Sequence, residues 1–126
     1  MNALQGLRIL VVENDEMSAT LLEMQLTQSG AVVVGTAATV ADALHLVDTA
    51  SPQIVLLDYR LAHHETSDPV AERLAAQGLP FVVATGMAPH ELPEAFHAGV
   101  VLVKPYLTRE LEAALAHALQ DHPVAT

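Results

Sequence analysis

Five short runs of Val, Ile and Leu alternate with stretches of helical period, and this alternation restricts the chain to few folds. The runs are Leu7–Val12, Val32–Gly35, Ile54–Leu57, Phe81–Ala84 and Val100–Val103. Each is almost continuously apolar rather than apolar at every second position, as strands covered on both faces are. Strands that alternate with helices form a parallel sheet with helices on both sides, joined by right-handed crossovers. The pattern predicts one doubly wound (βα)5 α/β domain over residues 1–121, with a short tail at 122–126.

The intervening segments carry helix signals. Met17, Leu21 and Met24 form a stripe widened by Leu22 and Leu26, and Gly30 suits the stop. Thr39 is placed to cap a second helix bearing Val40, Ala43, Leu44 and Val47. Asp68 before Pro69 reads as N-cap and first turn of a third, which Gly78 ends. Thr108 is placed to cap the last, with Leu111, Ala114, Leu115, Ala118 and Leu119 turned inward. Between them the fourth helical position is weak. Pro89 suits a start, but Pro93 falls within the first turns, so Ala88–Ala98 is expected to be short and irregular.

Composition excludes several functions. A formal net charge of −10 opposes binding to phosphate backbones. No stretch reaches the roughly 20 apolar residues of a membrane helix, and no signal peptide is evident. The absence of cysteine rules out disulfides and thiolate metal sites. A cytoplasmic protein without nucleic-acid or membrane contacts is expected. The seven histidines are read as solvated loop and helix-surface residues; His63 and His64 are adjacent and cannot share a helical face.

Ligands of open α/β sheets bind beyond the carboxyl ends of the strands. Glu13, Asn14 and Asp15 follow the first run, Asp58 the third, Thr85 and Gly86 the fourth, Lys104 and Pro105 the fifth. Lys104 is the sole lysine of the chain. Acidic oxygens suit Mg²⁺, a carboxylate is a nucleophile towards a phosphoryl donor, and a lysine neutralises phosphoryl oxygens. Taken singly, Asp58 could hydrogen-bond a loop, Asn14 and Asp15 could cap the first helix, and Thr85-Gly86 could be a turn. Their ordered occurrence at successive strand ends is what points to a site.

The segments Ile9–Asp15, Ile54–Asp58, Val83–Gly86 and Val103–Tyr106 resemble the signature segments of response-regulator receiver domains of bacterial two-component systems. The resemblance implies a flavodoxin-like sheet of order 2-1-3-4-5 and a cis peptide between Lys104 and Pro105. It implies Asp58 as phosphoacceptor, with Thr85 as switch hydroxyl and Lys104 as phosphate-binding lysine. Mg²⁺ would be held by Glu13, Asn14, Asp58 and the backbone carbonyl of Arg60, with Asp15 assisting through water. The partners implied are a sensor histidine kinase or histidine phosphotransfer protein and a downstream protein. The stretch Gly78–Met87 resembles single-domain receivers with a Phe-Ala-Thr-Gly-type motif, associated with HWE-type kinases, with Val83 in place of the motif's Phe. Such a protein catalyses only its own phosphorylation and dephosphorylation.

Several positions depart from that pattern. Asn14 stands where an acid is usual, the loop after Asp58 reads Leu61-Ala62-His63-His64, and Val101 replaces a switch aromatic. These departures leave open a degenerate receiver that binds its partner without phosphorylation. A small α/β enzyme is not supported, because neither Gly-x-Gly-x-x-Gly nor a Walker-type Gly-Lys-Ser/Thr occurs.

Overall fold

A computed structural model describes residues 4–121. Five parallel strands, β1 (Arg8–Val12), β2 (Val32–Ala37), β3 (Ile54–Asp58), β4 (Phe81–Thr85) and β5 (Val100–Val103), form one sheet of order β2-β1-β3-β4-β5. The four helices are α1 (Glu16–Gln28), α2 (Val40–Thr49), α3 (Asp68–Gln77) and α4 (Thr108–Asp121). The chain steps from β1 to β2 on one side and returns past β1 to β3 on the other. The carboxyl ends of β1 and β3 therefore flank a crevice where the connections diverge. The proposed tail at 122–126 lies outside the described residues.

The doubly apolar strands give two cores, one on each face. Ile9, Val11, Ile54, Leu56 and Val82 pack under α1 and α4, whose Leu26 and Leu115 are fully buried. Leu10, Val12, Val55, Leu57 and Val83 face α2 and α3, with Val47, Leu74 and Phe96 against them. Consecutive residues of β1 and β3 thus enter opposite cores, as the two-residue period of a strand requires.

Where the fourth helix would lie, the chain makes two short 3-10 turns, Pro89–Glu91 and Glu94–Ala98. Pro93 cannot donate the amide a continuous helix needs, so it separates them. Leu92 and Phe96 nevertheless reach the core. Gly99 follows, and a Cβ there would stand 2.4 Å from the Phe81 ring.

Three details of the helices differ from expectation. Leu22 and Leu26 of α1 are buried, but Met17, Leu21 and Met24 are exposed by 81%, 56% and 55%. Those three lie on a separate stripe, rotated off the face that β1 and β2 cover. The N-cap of α3 is Ser67, not Asp68, which lies inside the first turn with Pro69. The first turn of α4 closes on Leu107, whose carbonyl accepts from the Leu111 amide, while its own amide donates to Glu110 Oε1. Thr108 is already helical, and its hydroxyl accepts from Gln25 Nε2. Asp15 and Thr39 do cap α1 and α2, accepting from the amides of Ser18 and Asp42.

Candidate functional site

Asp58 ends β3 and projects into the crevice. Its Oδ1 accepts from the Tyr59 amide at 2.9 Å and its Oδ2 from Lys104 Nζ at 3.1 Å. Lys104 follows β5, held by its amide on the Thr85 carbonyl at 2.8 Å, and the Lys104–Pro105 peptide is cis. Its ammonium also stands 3.8 Å from Glu13 Oε1. Glu13 extends β1 by donating its amide to the Ala37 carbonyl, and its Oε2 accepts from the Asp15 amide at 3.1 Å. One ammonium thus serves two carboxylates from neighbouring strands.

Electrostatics follow from that arrangement. Burial pushes the Glu13 carboxyl above its ordinary value, and the nearby Asp58 adds to this. The Asp15 amide and Lys104 pull the other way. Partial burial works against the Lys104 ammonium, but the hydrogen bond and charge of Asp58, with Glu13, outweigh it and hold Lys104 above its ordinary value. Asp15 is depressed by the hydroxyl and amide of Ser18, which hydrogen-bond its carboxylate. Burial raises Tyr106.

A hollow of about 500 Å³ opens beside Asp58, Glu13 and Lys104 and runs between α1 and the β5–α4 connection. Leu21, Leu22 and Tyr106 line its apolar side. Asn14 lies on the other flank, with Arg60 and the loop from Leu61 to Glu65. That loop is closed by a bridge between Arg60 and Thr66 and contains two successive left-handed residues, His63 and His64, at φ 61° and 62°. Neither is glycine, so the tight reversal holds both in a sparsely populated region. Glu65 leaves the loop to accept the Val40 amide at the start of α2.

The structure brings together Glu13, Asp58 and Lys104, with Asn14 and Arg60 at the rim. Thr85 ends β4 one strand away; it is buried, and its Oγ1 accepts from the Met87 amide at 3.1 Å. Asp15 is engaged with Ser18 on the first turn of α1. Among the described residues no group of three His, Cys, Asp or Glu side chains is gathered as a metal cluster, and His63 and His64 are exposed.

Two residues bonded or adjacent to Asp58, Tyr59 and Ser67, carried no sequence signal. Tyr59 sets its ring edge-on to Phe96, with the Arg60 guanidinium 5.7 Å from the Tyr59 ring centre. Ser67 is fully buried and donates its hydroxyl to the Asp58 carbonyl at 2.6 Å. A serine before Asp-Pro reads as part of a helix start, and its long-range bond leaves no local trace.

A sequence profile of the response regulator receiver domain matches residues 9–116. The chain belongs to the response-regulator receiver family. SdrG from Sphingomonas melonis Fr1 is 39% identical, with a TM-score of 0.77 over 94% of this chain and 99% of that one. The PhyR stress response regulator is 27% identical at a TM-score of 0.80, over 98% of this chain and 49% of that one. The transcriptional regulatory protein PdtaR of Mycobacterium tuberculosis is 28% identical over 111 residues. This receiver spans about half the length of PdtaR, matching 54% of it with 86% of its own chain. The family's proteins are signalling proteins, and the sheet order and four-helix arrangement here are those of its receiver domains. Among the described residues no helix is long and apolar enough to cross a membrane.

Proposed function

We propose that this receiver accepts a phosphoryl group on Asp58 from a phosphohistidine and signals, relays or drains phosphate through protein contacts. The observation that carries the reading is the Lys104 ammonium, bonded to Asp58 Oδ2 and close to Glu13 at the ends of three strands. An Asp58 carboxylate oxygen attacks phosphorus, the phosphorus–nitrogen bond breaks, and the imidazole leaves. Lys104 is placed to follow the phosphoryl oxygens as they arrive. Thr85 ends the neighbouring strand β4, and its hydroxyl is the one the resemblance assigns to the same group. The partners are a sensor histidine kinase, of HWE type by the motif at Gly78–Met87, or a histidine phosphotransfer protein, and a downstream protein. The setting is the cytoplasm.

The donor set fits a hard divalent cation. Glu13 is a buried carboxyl beside Asp58, and one lysine does not neutralise both. Oxygen donors crowded in this way suit Mg²⁺. Glu13, Asp58, Asn14 and the Arg60 carbonyl would hold it, with Asp15 acting through water. When bound, the cation supplies charge neutralisation for the transferred phosphoryl group.

Intact-mass measurement after incubation with phosphoramidate and Mg²⁺ tests the reading. Wild type is expected to gain one phosphoryl group and Asp58→Asn none. Asn14 and the altered loop Leu61–His64 after Asp58 favour one second reading, a module that binds its partner without phosphorylation. An unlabelled wild type that is labelled as Asn14→Asp would put that reading first.

A further inference from the structure

We propose that Ser67 is a positioning residue for the phosphoacceptor, setting the direction of the Asp58 carboxylate through the Asp58–Tyr59 peptide. The inference rests on the reading of Asp58 as the group that accepts phosphate.

Ser67 stands at the N-cap of α3, where a serine ordinarily turns its oxygen back to accept an amide of the first helical turn. It makes no such bond. Its hydroxyl instead donates to the Asp58 carbonyl at 2.6 Å, across nine residues, and its amide donates to the Tyr59 carbonyl at 2.8 Å. The side chain is fully buried. A capping interaction has been given up for two bonds onto the backbone that leaves the phosphoacceptor.

The Asp58 carbonyl and the Tyr59 amide belong to one peptide unit, which is planar. Pinning the carbonyl end therefore fixes where the N–H at the other end points. That N–H donates to Asp58 Oδ1 at 2.9 Å. With Oδ1 held, Oδ2 is left to face Lys104 and the hollow beside it. The same two bonds close the loop from Arg60 to Thr66 at its base, and so place the Arg60 carbonyl at the rim. Asp58 is thereby oriented from a residue that never touches the transferring group.

A serine that merely satisfied a buried carbonyl would affect stability alone. A positioning residue also affects the chemistry of the folded protein. The test compares wild type, Ser67→Ala, Ser67→Cys and Val47→Ala, the last a core truncation at the distal end of α2. Labelling by phosphoramidate is followed by intact mass at saturating donor and Mg²⁺, scaled to the folded fraction from circular dichroism. Exchange of the Tyr59 amide is measured by NMR on metal-free protein. Ser67→Ala is expected to slow labelling by about tenfold or more, the range seen when a residue supporting a ligand is removed. Ser67→Cys, of similar volume with a weak donor, is expected to fall between. Val47→Ala should label at the wild-type rate, and Tyr59 exchange should quicken only in the Ser67 variants. Wild-type labelling by Ser67→Ala, unchanged Tyr59 exchange, or equal slowing in Val47→Ala overturns the proposal. If Ser67→Ala does not fold, Ser67→Cys decides: wild-type labelling by it overturns the proposal, slower labelling supports it. An unlabelled wild type removes the phosphoacceptor reading and this inference together, whereas a labelled wild type with equally labelled Ser67 variants removes only this inference.

Discussion

The ring of Tyr59 stands edge-on to that of Phe96, centroids 5.4 Å apart and planes at 71°. Tyr59 directly follows Asp58, and Phe96 is the buried anchor of the second 3-10 turn. The contact ties the residue after the proposed phosphoacceptor to the least regular crossover of the fold. Val101 leaves β5 without the aromatic that many receivers use, so this pair is the ring contact that spans the two regions. Edge-to-face pairs contribute about 0.5–1.5 kcal/mol beyond area burial. Phe96→Ala is expected to destabilise by about 3–5 kcal/mol, chiefly through its cavity. A urea double-mutant cycle with Tyr59→Leu should return a coupling in the edge-to-face range. Strict additivity would show that the rings are neighbours without interacting.

Lys104 faces a pair of acids, Glu13 and Asp58, and its removal has a signed consequence. Glu13 already sits above its ordinary value, mainly through burial, and Lys104 is one of the two influences that lower it. In Lys104→Gln the Glu13 carboxyl should rise further, read by carbon-detected NMR titration. A carboxyl whose folded value exceeds its unfolded one holds its proton more tightly when folded. Stability from this group therefore falls as pH rises from the ordinary value through the raised one. That window reaches higher pH in the variant, so the stability advantage of wild type should widen from acid to neutral pH. A constant difference across that range would show that Lys104 and Glu13 do not communicate.

Gly99 owes its place to closeness rather than to backbone conformation. A Cβ at this position would meet three atoms of the fully buried Phe81 ring, at 2.4, 2.6 and 2.8 Å. The ring lies at the base of β4 and has no flexible end to give way. Gly99→Ala is expected to destabilise by about 1–3 kcal/mol, as overpacking does, despite the stabilisation that alanine brings by lowering the entropy of the unfolded chain. A midpoint equal to wild type in chemical denaturation would mean that the turn moves freely.

The strands were legible because apolar runs buried on both faces look alike in any such sheet, and residues at their ends are placed by topology alone. Glu13, Asp58 and Lys104 could therefore be brought together from order in the chain. The weak crossover was legible from Pro93, whose missing amide needs no tertiary context. Helix faces were less so. In α1 the residues Met17, Leu21, Leu22, Met24 and Leu26 offer two overlapping stripes, and only the packed sheet selects Leu22 and Leu26. Helix starts show the same limit, since side-chain type favoured Asp68 and Thr108, while Ser67 is held by a long-range bond to the Asp58 carbonyl and the first turn of α4 closes on Leu107 and Glu110.

The two stripes of α1 should separate cleanly in stability. Leu26→Ala removes a fully buried side chain and is expected to destabilise by about 2–5 kcal/mol. Met17→Gln and Met24→Gln alter exposed positions and should stay within about 0.5 kcal/mol of wild type. If the Met variants unfold as easily as Leu26→Ala, the helix is rotated from the orientation described.

Charge at the proposed cation site sets how tightly Mg²⁺ is held. Asn14 stands at the rim with Arg60, where its amide oxygen would be a ligand without a full negative charge in the proposed Mg²⁺ site. At an effective dielectric near 20, one charge pair at about 4 Å amounts to roughly 4 kcal/mol before desolvation. Most of that is cancelled, because the amide also coordinates and the carboxylate must shed water. A residual of about 1.4 kcal/mol corresponds to tenfold in affinity. Asn14→Asp is therefore expected to bind Mg²⁺ several-fold to about tenfold more tightly, measured by titration followed on the Tyr59 amide. Asp15 caps α1 through Ser18, so Asp15→Asn tests whether its charge reaches the cation through water. A modest weakening in Asp15→Asn is expected alongside the gain in Asn14→Asp. Equal affinity in all three proteins would show that the cation is held by Glu13, Asp58 and backbone oxygen alone, and that the missing charge at position 14 carries no consequence.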